Sequence, residues 1–477
     1  LFEGNFAQLN FSKGEVSFDT VFTTIGSITQ NFRVFNPYDK TVRISNVSLR
    51  GGEQSNFRMN VDGRPGTFQE NIEIAPKDSI FIFVEVTVDP NNESNPFVIE
   101  DYIDFVTNGN HQEVKLTAWG QNAHYFTPTT FNRNIPDFSC LTGPNNSSGP
   151  CDDKIPAVNV TWTDDLPYVI YGYVVVDSMD VLTIEEGVDV YIHDGGGIWV
   201  YQGGTIKIKG TKEKPVTFQG DRLEKSFQDI PGQWDRIWIN DGGNNEINYA
   251  VIKNAFIGLQ VENLPFVDYL EYLPTSLSLK NTIIENCSNT GLLSSAYNIN
   301  SENLMIKNCG QYNVALQGGG NYSFKQCTFA NYFNKAIRET PLFFSQNVFV
   351  NALGSQYSFP FNIDVYNSII DGDQESEFNM EEIMVANSEP IVFDMQNTIV
   401  KTELNLSDPN QFQNLIINTT QPIFRNTILG DFALLETSVA RDKGLLTIGT
   451  QVQLDLMEND RILDGKPDLG ALEYDPN

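Results

Sequence analysis

KNTIIENC, residues Lys280–Cys287, has seven siblings in this chain. INYAVIKN (Ile247–Asn254), ENLMIKNC (Glu302–Cys309), KQCTFANY (Lys325–Tyr332), SQNVFVNA (Ser345–Ala352), YNSIIDGD (Tyr366–Asp373), MQNTIVKT (Met395–Thr402) and FRNTILGD (Phe424–Asp431) share its shape. Each has a polar residue, usually Asn, then a short apolar strand, then a turn residue. The polar positions are Asn248, Asn281, Asn303, Gln326, Asn347, Asn367, Asn397 and Asn426, at successive intervals of 33, 22, 23, 21, 20, 30 and 29 residues. A base period of 20–23 with insertions marks a β-solenoid. One coil cannot bury its own apolar edge, but stacked coils share a continuous core. Inward Asn side chains at the turns can satisfy one another as an amide ladder. Cys287 and Cys309 fall at equivalent positions, 22 residues apart, and are expected to stack as small buried residues.

A chain of 477 residues is longer than one core usually serves, so two or three domains are expected. Asp and Glu number 61 against 30 Lys and Arg, a formal charge of −31. That balance disfavours nucleic acid, whose phosphates need a basic surface, and also an anionic membrane surface. It suits an extracytoplasmic protein. No run reaches about 18 uninterrupted apolar residues, so no spanning helix is expected. The chain starts at Leu1 with no visible leader, and a processed N-terminus is expected. Cys140 and Cys151 bracket CLTGPNNSSGPC, a loop without a core-forming pattern; either they close a disulfide in an oxidising compartment or they stay free.

The segment up to His124 alternates like strands, as in SFDTVF (Ser17–Phe22) and SIFIFVEVTV (Ser79–Val88), between turn clusters such as NPYDK and NGNH. About seven such strands read as a β-sandwich. NPYDKTVRI, IAPKDSIFIFVEVTVDP and DYIDFVTNGNHQEVKLTAWG resemble the immunoglobulin-like domains of the ASH/hydin type. That resemblance covers about a quarter of the chain and implies a binding or spacer module. Residues 125–167, rich in Pro, Asn, Ser and Gly, read as a linker or strapped loop. Tyr168–Asp221, with LTI-x-x-GV, GI-x-V-x-G and GT-x-x-x-PV-x-F in succession, is similar to the first coils of right-handed parallel β-helix proteins of the pectate-lyase-like type. DRILDGKPDLGALEY (Asp460–Tyr474) resembles the terminus common on such solenoids. The combination resembles surface lipoproteins of the Bacteroidota. In that family a lipidated Cys would lie upstream of Leu1, so a lipid anchor at the outer-membrane surface is implied by the resemblance alone.

HDGGGIWVYQGGTIKIKG (His193–Gly210) offers glycines and one of three histidines. It lacks GxxxxGK[ST] and GxGxxG, and TIKIKG alternates rather than opening a helix, so the glycines read as coil corners. His193 reads as a corner residue; no nucleophile or acid is placed with it by spacing. DGDQESE brings Asp371, Asp373, Glu375 and Glu377 together, either as a Ca2+ loop or as a solvated acidic insertion. Lys335, Arg338 and Glu339 of NKAIRE are the candidate base and partners for a lyase or hydrolase. In GIWVYQ the aliphatic Ile198 and Val200 share one parity, and Trp199 and Tyr201 the other. QWDRIWIN repeats this, with Trp234, Arg236 and Trp238 outward. Counting each inward pair as one coil puts Thr217 between Trp199 and Trp238, with the indoles roughly 9–10 Å apart. Lys207 and Lys209 are outward one strand over. This face is either covered by the sandwich, the linker or a partner protein, or offered to a glycan.

The expected fold is therefore all-β: an immunoglobulin-like sandwich over 1–124, a linker over 125–167, and a right-handed parallel β-helix with a C-terminal cap over 168–477. The leading functional expectation is a non-catalytic cell-surface lipoprotein, a binding or scaffold subunit of an outer-membrane protein assembly. A surface glycan-binding protein using Trp199, Tyr201, Trp234, Arg236, Trp238, Lys207 and Lys209 is the first alternative. A polysaccharide lyase or glycoside hydrolase is the second. No cofactor is expected other than the Ca2+ of the acidic loop.

Overall fold

The computed structural model describes residues 1–476 apart from 5, 24–25, 90–96, 132–134, 142–150, 152–156, 178, 202, 241–242, 264–275 and 351–353. Leu264–Thr275, an insertion between the repeats INYAVIKN and KNTIIENC, lies outside the described residues. The chain divides into two compact units, Leu1–His124 with Arg222–Gln228, and Tyr125–Asp221 with Asp229–Asn477. Nearly all regular structure is strand; the α-helix among the described residues is Leu446–Gln451.

The first unit holds two five-stranded sheets around a shared apolar core. Alternation does the sorting. In Ser79–Val86, Ile80, Ile82, Val84 and Val86 are buried while the residues between face outward. Asn108 and Gly109 take positive φ (50° and 84°) and turn Phe97–Thr107 back onto Asn110–Gln121. That is the geometry a right-twisted hairpin requires.

The second unit is a parallel β-helix. Each coil visits three faces, as in Gly197–Tyr201 on the first, Thr205–Lys209 on the second and Val216–Gly220 on the third. The third faces of successive coils make an eleven-stranded sheet; the first and second faces together make a seventeen-stranded one. Inside the third face, Val190, Phe218, Ile252, Ile284, Ile306, Phe329, Ile370 and Val400 lie in register from coil to coil, all fully buried. Burying each such side chain stabilises the stack by about 1.5–3 kcal/mol before the entropy of ordering it is subtracted.

The repeated Asn is a corner residue. Asn281, Asn303, Gln326, Asn367, Asn397 and Asn414 turn the chain from the second face to the third with φ between 47° and 56°. Asn tolerates this left-handed conformation better than most non-Gly residues. Its amide then bonds across coils: Asn281 Nδ2 donates to Asn248 Oδ1 (2.9 Å), and Asn303 Nδ2 to Asn281 Oδ1 (2.8 Å). Asn347 and Asn426 are not members. The coil from Gln326 to Asn367 is 41 residues long, Asn347 lies beyond the first-face strand Phe343–Gln346, and Asn426 lies in a C-terminal hairpin strand. Cys287, Cys309 and Cys327 are free thiols buried in the core; its bond with Cys309 and burial push the Cys287 thiol well up.

Two expectations about the ends are corrected. The described parts of 125–167 are no linker: Phe138–Cys140 and Asn159–Trp162 pair in parallel with Tyr173–Val175 and Val181–Ile184, forming a first rung. Phe126, Trp162 and Tyr168 stack there and close the core (Trp162–Tyr168 centroids 4.4 Å apart). The C-terminal stretch, expected as a cap, is not part of the core cluster that ends with Leu404, Leu406, Phe412 and Leu415. It covers the outer side of the third face, where Ile283, Met305, Ala330, Ile369 and Ile399 meet Leu456, Leu469 and Ala471. These outward apolar residues are why the cover exists.

The cover is bolted by Arg461, which is fully buried. Its guanidinium donates to Glu473 Oε1 (2.7 Å), Asn303 Oδ1 (2.7 Å) and Ala471 O (3.0 Å). Burial pushes the Glu473 carboxyl up, and the Arg461 charge beside it pulls the other way. Removing one partner of a buried ion pair strands the other, at a cost of about 3–5 kcal/mol. Arg461→Ala is therefore expected to lower the urea midpoint and to speed limited proteolysis within Leu454–Tyr474. An unchanged midpoint and cleavage rate would show that the cover holds without it.

Candidate functional site

The aromatic face differs from its expected geometry. Trp199 and Trp238 are direct neighbours in register, with ring centroids 5.1 Å apart and planes 11° from parallel. Thr217 is not between them; it sits on the third face. One coil supplies three strands, so the count that treated each inward pair as a coil was too fine. Both indoles do leave the solenoid lumen, but Trp199 keeps only 2% of its surface exposed. It packs with Phe138, Cys140, Tyr173 and Val175, against which Ile135, Cys151, Tyr201 and Trp238 also lie. Cys140 and Cys151 are joined by a disulfide, so the rung that covers Trp199 is cross-linked.

Trp234 points the other way. It lies in the lumen and donates Nε1–H to Lys253 O (2.9 Å), because a single bridge to Ala255 and a corner at Asp235 break the alternation before Arg236–Asn240 begins. Arg236 is held by Asp235 (2.8 Å) and Gln260. Lys207 and Lys209 face outward on the second face, in register with Glu246 and Asn248, not on the tryptophan face. Beside Trp238, buried Glu262 accepts from Trp238 Nε1 (2.7 Å), Gln260 Nε2 (3.0 Å) and Asn240 Nδ2 (3.1 Å). Burial outweighs these bonds and pushes its carboxyl up.

The acidic loop and NKAIRE do meet, but as a structural knot. Arg338 is buried and donates to both oxygens of buried Glu377 (2.6 and 2.7 Å) and to Asp373 (2.5 Å). Asp371 is buried and accepts from Tyr332 Oη–H. Glu375 is left exposed in the loop. The expected Ca2+ set therefore does not converge: among the described residues, no three His, Cys, Asp or Glu side chains could hold a metal ion. Arg338 is no free base either, and Lys335 and Glu339 are exposed on either side of it. His193 has a partner that spacing did not reveal, with Nδ1 2.7 Å from Asp221 Oδ2 and its ring against Tyr171.

Two constellations were missed. On the second face Asp364 lies in register beside Asp394. Tyr366 Oη–H donates to Asp394 (2.5 Å), while burial, then the Asp394 charge, push the Asp364 carboxyl up. The other is a groove of about 250 Å3 at the corner between the third and first faces. Asn254, Asn286 and Asn308 turn that corner at φ 62°, 53° and 55° and line the groove. Asn286 Nδ2 donates to Asn254 Oδ1 (2.7 Å), and Tyr332 N–H to Asn308 Oδ1 (3.0 Å). Lys253, Lys307 and Lys335 add ammonium groups; Ile428 and Leu429 form an aliphatic rim. The signal was in the repeats. IKN, ENC and KNC each place a second Asn after a charged residue, one strand beyond the first. Asp364 and Asp394 each stand three residues before a corner Asn, Asn367 and Asn397.

A family model described as a pectate-lyase like β-helix domain matches residues 154–265, which span the early coils and the stacked tryptophans. No curated protein matches the chain. Among solved structures, a family 123 glycoside hydrolase from Clostridium perfringens, from a study of glycolipid glycan hydrolysis, is similar at 6% identity and a TM-score of 0.18. The similarity covers 24% of this chain and 27% of that one. The chain thus spans about a quarter of that hydrolase, and so slight a superposition carries no argument.

The covered aromatic face yields two expectations. Cys140→Ser with Cys151→Ser releases a short cross-linked loop, worth about 2–3 kcal/mol. The first rung should loosen, seen as a lower denaturation midpoint and red-shifted indole emission as Trp199 meets water; unchanged emission would mean the rung stays seated without the bond. For Glu262 the folded carboxyl titrates above its unfolded value. The stability this gives is present below about pH 4.3 and is lost as pH rises through the folded value. Glu262→Gln should flatten that decline in midpoint-versus-pH measurements and cost no more than about 1 kcal/mol at acid pH; a steeper slope would contradict it.

Proposed function

We propose that the chain is an extracytoplasmic surface protein that binds a carbohydrate without turning it over, in the groove at the third-to-first corner of its β-helix. The observation that carries this reading is the groove's lining. Amides recur coil by coil at about 4.8 Å spacing, ammonium groups stand beside them, and aliphatic side chains form the rim. Amides and ammonium groups suit sugar hydroxyls, and aliphatic groups suit the C–H faces of a ring. The description of the matched family, pectate-lyase like, supports a carbohydrate ligand, although fold alone does not transfer activity. Arg338, Asp373 and Glu377 are tied up with one another, which supports binding over chemistry. The Cys140–Cys151 disulfide and the charge of −31 support an extracytoplasmic site. The Bacteroidota outer-membrane lipoprotein placement belongs to the same proposal. In it the N-terminal sandwich, read as immunoglobulin-like, is the spacer or the contact to an outer-membrane protein.

One observation favours a second reading. Asp364 and Asp394 sit on neighbouring strands about 4.8 Å apart, close to the roughly 5 Å that separates the carboxyl pair of retaining glycosidases. The upward push on Asp364 suits the acid of such a pair.

A glycan microarray followed by calorimetry on the best binder separates the two. Lys253→Gln with Asn308→Gly, where Gly keeps the left-handed corner, is expected to weaken binding at least about tenfold, or 1.4 kcal/mol. Binding that ignores this change would remove the groove. Release of reducing ends that disappears in Asp364→Asn would replace the binding reading with a hydrolase.

A further inference from the structure

We infer that the carbohydrate held in the groove is the headgroup of an anionic glycolipid, with the sugar and its acidic group inside and the acyl chains lying over the rim. This rests on the carbohydrate reading above and narrows it. At about 250 Å3 the groove falls below the roughly 300–1,000 Å3 of sites that enclose a whole ligand. It can seat a small headgroup and must leave the remainder outside.

What lies outside is aliphatic. Ile428 is 84% exposed and Leu429 81%, side by side on the turn that forms the groove's lip; Ile337, two residues past the lining residue Lys335, is 90% exposed. Single exposed apolar residues need no explanation, but adjacent ones at the mouth of a polar groove mark a contact site. A sugar chain continuing out of the groove would present hydroxyls to these side chains. An acyl chain buries them.

What lies inside is short of acceptors. Lys335 Nζ and Asn308 Nδ2 have no hydrogen bond or ion pair with any described residue, and Lys253, whose charge reaches the Asp189 carboxyl outside the groove, makes no hydrogen bond or close ion pair through its Nζ. Glu285 is occupied by Lys307 (2.8 Å), whose Nζ also lies 3.4 Å from Gly430 O. Asp229, exposed at the edge, is the other carboxylate of the lining. In a chain with twice as many acids as bases, lysines without a close carboxylate in a concave site call for a phosphate or carboxylate on the ligand. Lysines beside exposed aliphatic groups are also how proteins engage anionic lipid at an interface.

The test compares four probes on the whole chain by calorimetry and vesicle flotation: a bisphosphorylated acyl-disaccharide in phosphatidylcholine vesicles, its deacylated saccharide phosphate, a uronic-acid glycolipid, and phosphatidylglycerol vesicles without sugar. One or both glycolipids are expected to bind at least tenfold more tightly than the deacylated saccharide, and which one binds identifies the acidic group. Ile428→Ser with Leu429→Ser should erase that difference. Both residues are solvent-exposed, so circular dichroism and the thermal midpoint should not move. Lys253→Gln with Lys335→Gln should weaken the glycolipid and the deacylated form alike. Equal binding of acylated and deacylated forms overturns the lipid inference and leaves the carbohydrate reading standing. Equal binding of the sugar-free vesicles overturns both, as does binding of none.

Discussion

Everything in the second unit depends on one constraint: a coil of three short parallel strands cannot bury its own edges. The column from Val190 to Val400 is the answer to it. Each aromatic ring or aliphatic branch covers the one before it and needs the one after, so stability is shared between neighbours. The backbone obeys the same rule, since every coil's hydrogen bonds point along the stack to the next coil. Two kinds of place remain unsatisfied: the ends of the stack and the corners where strands cannot pair.

The ends show how strictly the rule is enforced. An open strand edge is a template for unwanted pairing. At the start, the chain folds segments poor in strand pattern onto the stack, locks them with a disulfide and stacks Phe126, Trp162 and Tyr168 over the core. Trp199 is the casualty of that solution: an outward residue on a face that the first rung must partly cover. Along the side, the third face carries apolar residues on both surfaces, and the chain returns to cover the outer one through Arg461 and Glu473. A buried ion pair is a poor way to gain stability but an effective way to fix which segment docks where. Here it joins the C-terminal stretch to Asn303, a member of the amide ladder, and so sets the register of the cover against the coils.

Legibility followed the range of the interaction. Alternation is local, so the inward parity of Ile198, Val200, Ile237 and Ile239 could be read directly. So could the Asn corners, because a left-handed residue is a local demand and the repeat displays it many times. The spacing of Trp199 and Trp238 depends on period: a coil is three strands, not one, and the 39-residue step from one indole to the other is a full turn of three faces. Arg338 and Glu377 stand 39 residues apart with nothing in their neighbourhoods to announce the pairing. Acidic residues taken as free were neutralised by a partner from another coil. Trp234 failed for the opposite reason, a single corner residue that breaks alternation at Asp235.

The corners, finally, connect the architecture to a site. A strand's amides are consumed by pairing, but a left-handed Asn has its backbone bonded to the next coil while its side-chain amide is left to find other partners. At the second-to-third corner those amides are used up, rung against rung and then by Arg461, Leu445 and the cover. At the third-to-first corner the cover does not close over them. Asn308 Nδ2 and the lysines that precede Asn254 and Asn308 in sequence line an open concavity instead. Both corners solve the same folding problem with the same residue. Only one leaves the solution exposed, and it leaves it beside the two adjacent aliphatic side chains that the fold makes no attempt to bury. A corner whose geometry is already set by folding needs no further ordering to hold a ligand, which is the condition under which a few amides and ammonium groups suffice for recognition.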